Sequence, residues 1–288
     1  MTVNRNMLCH KILVSDANHY ATHDAINPYY TGEPVDTELA KMQHKNAIRA
    51  FQSAGIDVLQ VPSPVSSQDG VFTANWAVVH EKKAIIARLP ETRKPEEAYA
   101  KRVLSDFGYN TVTLPDNLRF SGQGDAIILG DYVLCGQNYR SDEEALKIVA
   151  EAFGLERVQL TTVPDLDENG VPVINKTTGW ADSLFFDIDL ALTVIDENTI
   201  AYCKEAFLPV SQDAIAALPF RKVTVSLDEA RNAFACNLVS TGKTVIMSDA
   251  APLFKKDLEA LGFDTVTVNL SEFGKSGGYV RCISLTLE

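Results

Sequence analysis

The sequence predicts an α/β fold in which five strand–strand–helix–strand modules close into a ring with pseudo-five-fold symmetry. Three observations predict it: a helix–glycine–strand pattern that recurs along the chain, a pair of apolar strands between consecutive copies, and a last strand that can pair with the first. Modules repeated at a regular pitch bury their apolar faces against one another, and ring closure protects the sheet edges. An ordinary α/β sandwich with similar helix ends is the alternative, and five copies make it the weaker one.

The first module shows the pattern most clearly. Residues 11–14 form an apolar strand, and residues 36–54 carry apolar side chains at helical spacing. Gly55 follows as the expected end of the helix, because glycine adopts the left-handed conformation of a C-cap at little cost. Residues 56–62 then alternate apolar and polar side chains, which predicts a strand.

The same unit recurs four more times, at a mean pitch of about 52 residues. The five helix ends fall at Gly55, Gly108, Gly154, Pro219 and Gly262. Paired strands are predicted between them: residues 71–79 with 84–88, 126–129 with 132–135, 190–195 with 199–202, and 235–239 with 244–247. Residues 279–287 are predicted to pair with residues 11–14 and close the ring. The third module also carries an insertion, residues 164–180.

The composition is that of a globular protein and argues against several classes of partner. The chain has 288 residues, a net charge of −12 and no cluster of lysine or arginine, which disfavours nucleic acid binding and is compatible with a cationic small substrate. No apolar run approaches the ~18 residues of a membrane helix, and residues 1–7 have no signal-peptide core. We therefore expect one domain, residues 1–288, in the cytoplasm, with no membrane partner, and a homodimer is compatible with this composition.

The five cysteines are widely spaced, odd in number and without a Cys-x-x-Cys pair, which argues against a disulfide framework or a zinc site. Cys135, Cys203 and Cys236 fall inside predicted strands, and we expect them to be buried and inert. Cys282 differs, because it lies where a glycine-rich turn, residues 274–278, meets the last strand. A mobile turn beside a rigid strand suits a nucleophile, whereas a buried core cysteine is the ordinary alternative.

The repeat aligns short polar residues at the start of the inner strand of each module. They are Asn75, Asp125, Asn237 and Cys282, which follow their helix ends by 17 to 20 residues. The third module, lengthened by its insertion, reaches Asp187 and Asp189. In a closed ring these positions converge on one axis. A nucleophile, carboxylates and amides at one centre predict a site for a cation that is attacked.

Four segments that carry these positions resemble the guanidine-modifying enzyme superfamily, also called penteins. They are Asp-Gly-Val-Phe-Thr-Ala-Asn at 69–75, Ser-Gly-Gln-Gly-Asp at 121–125 with Arg-Ser-Asp at 140–142, Asp-Ile-Asp at 187–189, and Ser-Gly-Gly-Tyr-Val-Arg-Cys at 276–282. Dimethylarginine dimethylaminohydrolases, arginine deiminases, arginine dihydrolases and amidinotransferases belong to this superfamily, and Phe-Thr-Ala-Asn is most similar to the dihydrolase branch. The resemblance implies a five-bladed α/β propeller, in agreement with the ring predicted from the repeat.

The resemblance also implies covalent chemistry at a guanidinium carbon without a metal or cofactor. In the superfamily a cysteine attacks that carbon, an amine leaves, and water hydrolyses the thiouronium intermediate, while a histidine transfers protons. Cys282 matches the nucleophile, and Asp189 matches the second position of the His-x-Asp motif. The substrate-binding candidates are Asn75, Asp125, Asp69, Arg140, Ser121 and Asn27. A cationic, arginine-like small molecule is therefore the expected ligand.

Two positions depart from the superfamily pattern. The histidine of His-x-Asp is replaced by Asp187, and the glutamate four residues before the motif aspartate is replaced by Ser121. A carboxylic acid can stand in for an imidazole only while it holds a proton near neutral pH, which neighbouring carboxylates favour. His80 or His23 could instead supply an imidazole from another module.

Other polar residues have ordinary structural explanations. Arg93 and Glu97 are predicted to be a solvated helix start. Arg140 either orients a substrate carboxylate or pairs with Asp142, and Asn27 serves either a turn or a cap over the substrate.

Two functional interpretations remain open. The first is a cysteine hydrolase that cleaves a C–N bond of a guanidine group, with Asp187 and Asp189 in place of the usual acid–base residues. The second is a catalytically altered or inactive homologue that binds an arginine-like ligand, in which Cys282 is a relic or a redox-sensitive thiol. A variant of an active enzyme made by changing histidine to aspartate would also carry Asp187, but the change at Ser121 makes a single exchange an incomplete explanation.

Overall fold

The computed structural model describes residues 8–287, which form an α/β propeller of five modules. Each module holds one three-stranded sheet, in which an inner strand pairs antiparallel with a middle strand and the middle strand pairs parallel with an outer strand. The predicted five-module α/β fold is confirmed. Residues 1–7, for which no signal-peptide core is predicted, lie outside the described residues, as does residue 288.

The strands are, in chain order, β1 (Lys11–Ser15), β2 (Asp57–Val61), β3 (Ala77–His80), β4 (Lys83–Ile86), β5 (Asn110–Thr113), β6 (Ala126–Leu129), β7 (Tyr132–Gly136), β8 (Glu156–Leu160), β9 (Leu192–Asp196), β10 (Thr199–Tyr202), β11 (Arg221–Thr224), β12 (Val239–Ser240), β13 (Thr244–Ser248), β14 (Asp264–Val268) and β15 (Leu285–Thr286). The α-helices are α1 (Thr37–Ser53), α2 (Lys94–Asp106), α3 (Glu143–Phe153), α4 (Pro209–Ala217), α5 (Leu227–Asn232), α6 (Pro252–Ala260) and α7 (Ser271–Gly274). Within the described residues, no helix is long and apolar enough to cross a membrane.

The helix ends follow the predicted capping chemistry in four of the five modules. Gly55, Gly108, Gly154 and Gly262 all have φ between +66° and +93°, the left-handed region that glycine adopts without strain. The fourth module differs, because Leu218 ends α4 in an extended conformation, with φ −62° and ψ 144°. Pro219 explains this difference, since a residue before proline is disfavoured in the helical region.

The ring closes where β15 pairs antiparallel with β1, with Leu285 opposite Leu13 and Thr286 opposite Ile12. The predicted closing strand, residues 279–287, is mostly a turn, and only two residues of it pair as a strand. The inner strands β3, β6 and β12 are fully buried, so the core surrounds the axis of the ring.

Most inner strands begin later than predicted. Residues 71–76 contain a 3-10 helix, Thr73–Trp76, and strand β3 starts only after it. Ile188–Leu190 is a second such turn before β9, and residues 234–237 form a turn before β12. Periodicity could not separate turn from strand here, because both are short and apolar. The polar residues aligned by the repeat therefore lie on tight turns, where one residue can point inward without continuing a strand.

Candidate active site

Five turns bring the aligned polar residues together inside the ring. The turns precede β3, β6, β9, β12 and β15, and they carry Asn75, Asp125, Asp189, Asn237 and Cys282. All five side chains are buried, with at most 4% of their surface exposed. The predicted convergence on one centre is present in the structure.

A narrow cavity opens beside Cys282. Its lining includes four further predicted residues, Asn27, Asp69, Asn75 and Arg140. Aromatic rings of Phe72 and Phe186 and the backbone of Gly277 and Gly278 complete its walls, together with Ile26, Tyr30, Arg93 and Ser276. The glycines are needed for space, because a Cβ atom on Gly278 would lie 2.2 Å from the Phe72 ring. A narrow cavity walled by aromatic rings and glycine backbone suits a slender ligand.

The Cys282 sulfur lies between an amide and a carboxyl group. Asn237 Nδ2 donates to Sγ at 3.2 Å, and Sγ lies 3.9 Å from Asp189 Oδ2. Burial, aided by the negative charge of Asp189, raises the pKa of the Cys282 thiol well above its usual range. The resting side chain is therefore a neutral thiol near neutral pH and needs a proton acceptor before it can attack.

Asp187 and Asp189 each keep one oxygen without a hydrogen-bond partner among the described residues. Asp187 Oδ2 accepts from Asn75 Nδ2 at 2.9 Å, while Asp187 Oδ1 and Asp189 Oδ1 are buried and unbonded. A buried acceptor without a donor is costly, so both oxygens favour a ligand that brings N–H groups.

Asp125 lies behind this pair and is more fully bonded. It accepts from the Ser141 hydroxyl at 2.7 Å and from the Ile188 backbone N–H at 3.2 Å. Burial raises its pKa well above the usual range, and the negative charge of Asp187 adds to the effect. Burial raises the pKa of Asp189 in the same way, again with a contribution from Asp187. These carboxyl groups consequently hold protons well above the pH at which an exposed aspartate loses its proton.

Arg93 fixes the orientation of Asn75, a contact that the sequence did not predict. Arg93 donates to Asn75 Oδ1 at 2.9 Å, so Nδ2 must face Asp187 and the Ser121 hydroxyl, 2.9 Å away.

The expectation of a solvated helix start at Arg93 and Glu97 is wrong. Arg93 is 1% exposed and pairs with Glu96 at 2.7 Å, and the buried Glu97 pairs with Arg88. Groups from several segments bond the buried Arg93 guanidinium, and no local sequence pattern reveals them.

Arg140 is placed over an aromatic ring at the cavity. Its guanidinium lies 4.0 Å from the Phe186 ring centroid and donates to the Ile26 carbonyl at 3.2 Å. The alternative pairing with Asp142 is wrong, because Arg119 takes that partner at 2.6 and 2.8 Å. Arg140 is thus left facing the cavity, where it can bind an anionic group.

Asn27 and Asp69 also line the cavity. Asn27 Nδ2 donates to the Ser276 carbonyl at 2.9 Å, which ties the first loop to the glycine turn before Cys282. Asp69 accepts from the Tyr30 hydroxyl at 2.7 Å. Both roles proposed for Asn27 are therefore compatible, since it forms a turn and borders the cavity.

No histidine lines the cavity in the described part of the chain. His80 ends β3, away from Asn75, and its ring packs 5.3 Å from that of Phe153. His23 is exposed and joins the Gln68 side chain through its backbone N–H. Neither supplies an imidazole beside Cys282.

Comparison with known proteins agrees with this geometry. The family model for N,N dimethylarginine dimethylhydrolase, eukaryotic, matches residues 16–287. The chain belongs to this family. A dimethylarginine dimethylaminohydrolase from Mycobacterium tuberculosis is 33% identical to it over 93% of this chain and 82% of that protein. The bifunctional arginine dihydrolase/ornithine cyclodeaminase AgrE from Nostoc is 27% identical over 96% of this chain, which spans only 37% of that longer protein.

Solved structures of relatives support the same fold. The N-terminal domain of ArgZ covalently bound to a reaction intermediate superposes with a TM-score of 0.86 and 25% identity, covering 96% of this chain and 97% of that one. Dimethylarginine dimethylaminohydrolase from Pseudomonas aeruginosa in complex with citrulline has a TM-score of 0.76 at 21% identity, over 96% of this chain and 99% of that one. The family is thus one of C–N hydrolases that act on guanidino groups.

Proposed function

We propose that this protein is a cysteine-dependent hydrolase that cleaves a C–N bond in the guanidine group of an arginine-like small molecule. The observation that carries the proposal is the position of Cys282 Sγ, which lies 3.9 Å from Asp189 Oδ2 beside a cavity lined by Asp69, Asn75 and Arg140. Membership of a family of guanidine hydrolases supports the reaction type.

The substrate is held by its charge at both ends. A guanidinium group presents up to five N–H donors in one plane, which suit the unbonded oxygens of Asp187 and Asp189. Arg140 faces the cavity from the Phe186 side and can hold a carboxylate at the other end. Asp69, Asn27, Ser121 and Asp125 act around this frame, by shaping the wall or by bonding the groups that touch the ligand.

The chemistry proceeds with Asp187 and Asp189 as the proton carriers. Asp189 takes the thiol proton, Sγ forms a bond to the guanidinium carbon, and a carboxylic acid of the pair protonates the departing nitrogen as the C–N bond breaks. Water then adds to the thiouronium carbon and gives its proton to the carboxylate, and the C–S bond breaks. Guanidinium and water thereby become a urea and an ammonium ion, and Cys282 regains its proton.

Covalent trapping tests the proposal. A haloacetamidine should add one equivalent to Cys282, detected by mass spectrometry, and arginine or dimethylarginine should yield a ureido product with release of ammonia or dimethylamine. The Cys282→Ser variant should lose both signals, whereas Cys135→Ser, a change at a buried cysteine of strand β7, should keep them. A correctly folded protein that forms no adduct and no product would refute the proposal.

Two observations favour a ligand-binding protein instead. Burial and the charge of Asp189 raise the pKa of Cys282, and among the residues that the structure describes no imidazole lines the cavity. Calorimetric titration with arginine distinguishes the two functions, because binding without product formation would identify a binding protein.

A further inference from the structure

The side chain of Asn237 locks the turn that carries Cys282. Its Oδ1 atom accepts from the backbone N–H groups of Tyr279, Arg281 and Cys282, at 3.2, 3.0 and 3.2 Å. These groups can only donate, so the oxygen and nitrogen of the amide are not interchangeable. The Nδ2 atom consequently points at the sulfur, with its hydrogens directed to the reacting atom.

A second contact makes this arrangement rigid. Phe234 adopts φ +53°, a left-handed conformation that is unfavourable for a bulky residue. In this conformation its ring stacks on Tyr279, with centroids 5.3 Å apart and planes tilted by 10°, and its carbonyl accepts from the Asn237 N–H at 2.9 Å. The Asn237 turn and the Cys282 turn are therefore joined by the Asn237 side chain, by the Phe234–Tyr279 stack, and by the bond from the Arg281 backbone N–H to the Asn237 carbonyl at 3.3 Å.

The same amide acts on both partners of the first proton transfer. Besides bonding the sulfur, the Asn237 side chain lowers the pKa of Asp189, against the rise caused by burial and by Asp187. At Cys282 the Asn237 side chain and the Tyr279 backbone N–H oppose the rise in pKa caused by burial and by Asp189. Among the described residues no imidazole lines the cavity, so the groups that can stabilise negative charge on the sulfur are neutral N–H donors.

We propose that Asn237 is a catalytic residue, whose amide N–H groups stabilise the Cys282 thiolate and align it with Asp189. This inference rests on the proposed function. When the sulfur passes its proton to Asp189 Oδ2, negative charge develops on the sulfur, and the N–H···S contact becomes a charge-assisted hydrogen bond. The geometry is already in place before reaction, so little reorganisation is needed.

A second amide in the ring, that of Asn75, is oriented in the same way. Asn75 has its oxygen locked by Arg93 and turns its nitrogen toward Asp187. The two equivalent positions thus present N–H groups inward, Asn75 to Asp187 and Asn237 to the Cys282 sulfur. At these positions a shorter serine would not span the gap, and an aspartate would place like charges together.

Replacing Asn237 by aspartate gives a discriminating test. Asn237→Asp keeps an oxygen that can hold the three backbone N–H groups, removes the donor that faces the sulfur, and adds a carboxyl group whose charge also disfavours a thiolate. We expect the pH midpoint for alkylation of Cys282 by chloroacetamide to rise by at least about one unit, and the rate at neutral pH to fall about tenfold or more. Turnover should lose kcat while KM changes little, because the substrate does not contact this residue in the proposed mode.

Asn175 offers a matched control. It is also a buried asparagine whose Oδ1 holds two backbone N–H groups, those of Thr177 and Thr178, and whose Nδ2 donates to a carboxyl group, that of Asp182 at 3.2 Å. The Asn175→Asp variant makes the same chemical change away from the sulfur. It should lose stability to a similar extent and leave the alkylation profile of Cys282 unaltered.

The outcomes separate this inference from the proposed function. Alkylation by chloroacetamide requires no turnover, so the shift remains measurable even if the wild-type protein hydrolyses no guanidine. Coincident profiles of wild type, Asn237→Asp and the smaller Asn237→Ser, with folded protein shown by circular dichroism, would overturn the role of Asn237. An equal shift in Asn175→Asp would overturn it as well, because a general loosening of the fold would then explain the effect.

Discussion

Asn75 Nδ2 donates to Asp187 Oδ2 at 2.9 Å, which joins an amide and a carboxyl group inside the ring. The bond links the turns that precede β3 and β9, and the other oxygen of this carboxyl group, Asp187 Oδ1, has no partner among the described residues. A change to either side chain should therefore alter the position of the other.

The Asn75→Asp variant should place two carboxyl groups in contact. We expect the free energy of unfolding to fall by about 1–3 kcal/mol at neutral pH, because two buried carboxylates cannot both be charged cheaply. Part of the loss should be recovered at pH 5, where the pair can share a proton. Urea unfolding at both pH values measures this. Asn232→Asp, which alters an exposed bond to Asp228, is the control and should change stability by less than about 0.5 kcal/mol.

Gly124 leaves the space that Asp187 and Asn75 occupy. A Cβ atom there would lie 2.6 Å from Asp187 Oδ2 and 2.8 Å from Asn75 Nδ2, so Gly124→Ala should displace both side chains. We expect a stability loss of about 1–3 kcal/mol. We also expect kcat to fall by more than this loss of stability would explain. Gly274→Ala meets only the Phe234 ring at 3.3 Å and should remain nearly normal. Equal activity of the two variants would contradict the packing described for Asp187.

The raised pKa values of Asp125 and Asp189 should make the protein lose stability as pH rises. Burial raises the pKa of each group in the folded state, so the folded protein binds more protons than the unfolded chain above about pH 4. Their contribution is fully present below that pH and is lost as pH increases through the folded values. Asp189→Asn should flatten this slope in a pH series of urea unfolding, whereas the exposed Asp57→Asn should not. An unchanged slope in Asp189→Asn would show that Asp189 is ionised at low pH.

His44 should produce the opposite slope at acidic pH. Burial lowers the pKa of its ring to about 4 from 6.5, so the folded protein binds fewer protons than the unfolded chain between these values. Its contribution is present above about pH 6.5 and falls as pH decreases toward 4, by up to about 3 kcal/mol. His44→Met removes this titration and should reduce acid sensitivity, whereas the exposed His10→Gln should retain it. Identical acid unfolding of both variants would rule out His44 as the cause.

Arg140 should act on substrate binding, and Arg119 offers a close comparison. Each guanidinium lies over an aromatic ring, Arg140 at 4.0 Å from Phe186 and Arg119 at 5.1 Å from Trp180. Arg140→Lys should raise KM about tenfold or more for substrates that carry a carboxylate, because the planar donor pair is lost. Arg119→Lys should lower stability by weakening its pair with Asp142 and leave KM unchanged. Decarboxylated substrate analogues should be insensitive to both changes.

The sequence was sufficient for the architecture, because the decisive signals were local. A glycine after an amphipathic helix and an alternating strand can be recognised within about 20 residues. The repeat then placed Asn75, Asp125 and Cys282 on one axis. It also placed Asn237 there, but an asparagine side chain does not by itself indicate a catalytic role. Its bond to the Cys282 sulfur is seen only in the folded structure.

The contacts missed are those made by several segments at once. Arg93 was assigned to solvent because a charged helix start is usually exposed, and its partners Glu96, Asn75 and Asp69 converge only after packing. The 3-10 turns before the inner strands were missed for a related reason. Their apolar residues continue the strand pattern, and tertiary packing alone decides where pairing begins.

The pairing of β15 with β1 has a consequence for biosynthesis. Cys282 lies three residues before β15, and its turn is the last of the five to be made. Four modules can fold while the chain is still being synthesised, yet Cys282 is positioned only when the final strand docks against the first. In an unfinished chain the carboxyl groups of the site are therefore present while Cys282 is not yet in place. The proposed hydrolysis of a guanidine can begin only after the ring has closed.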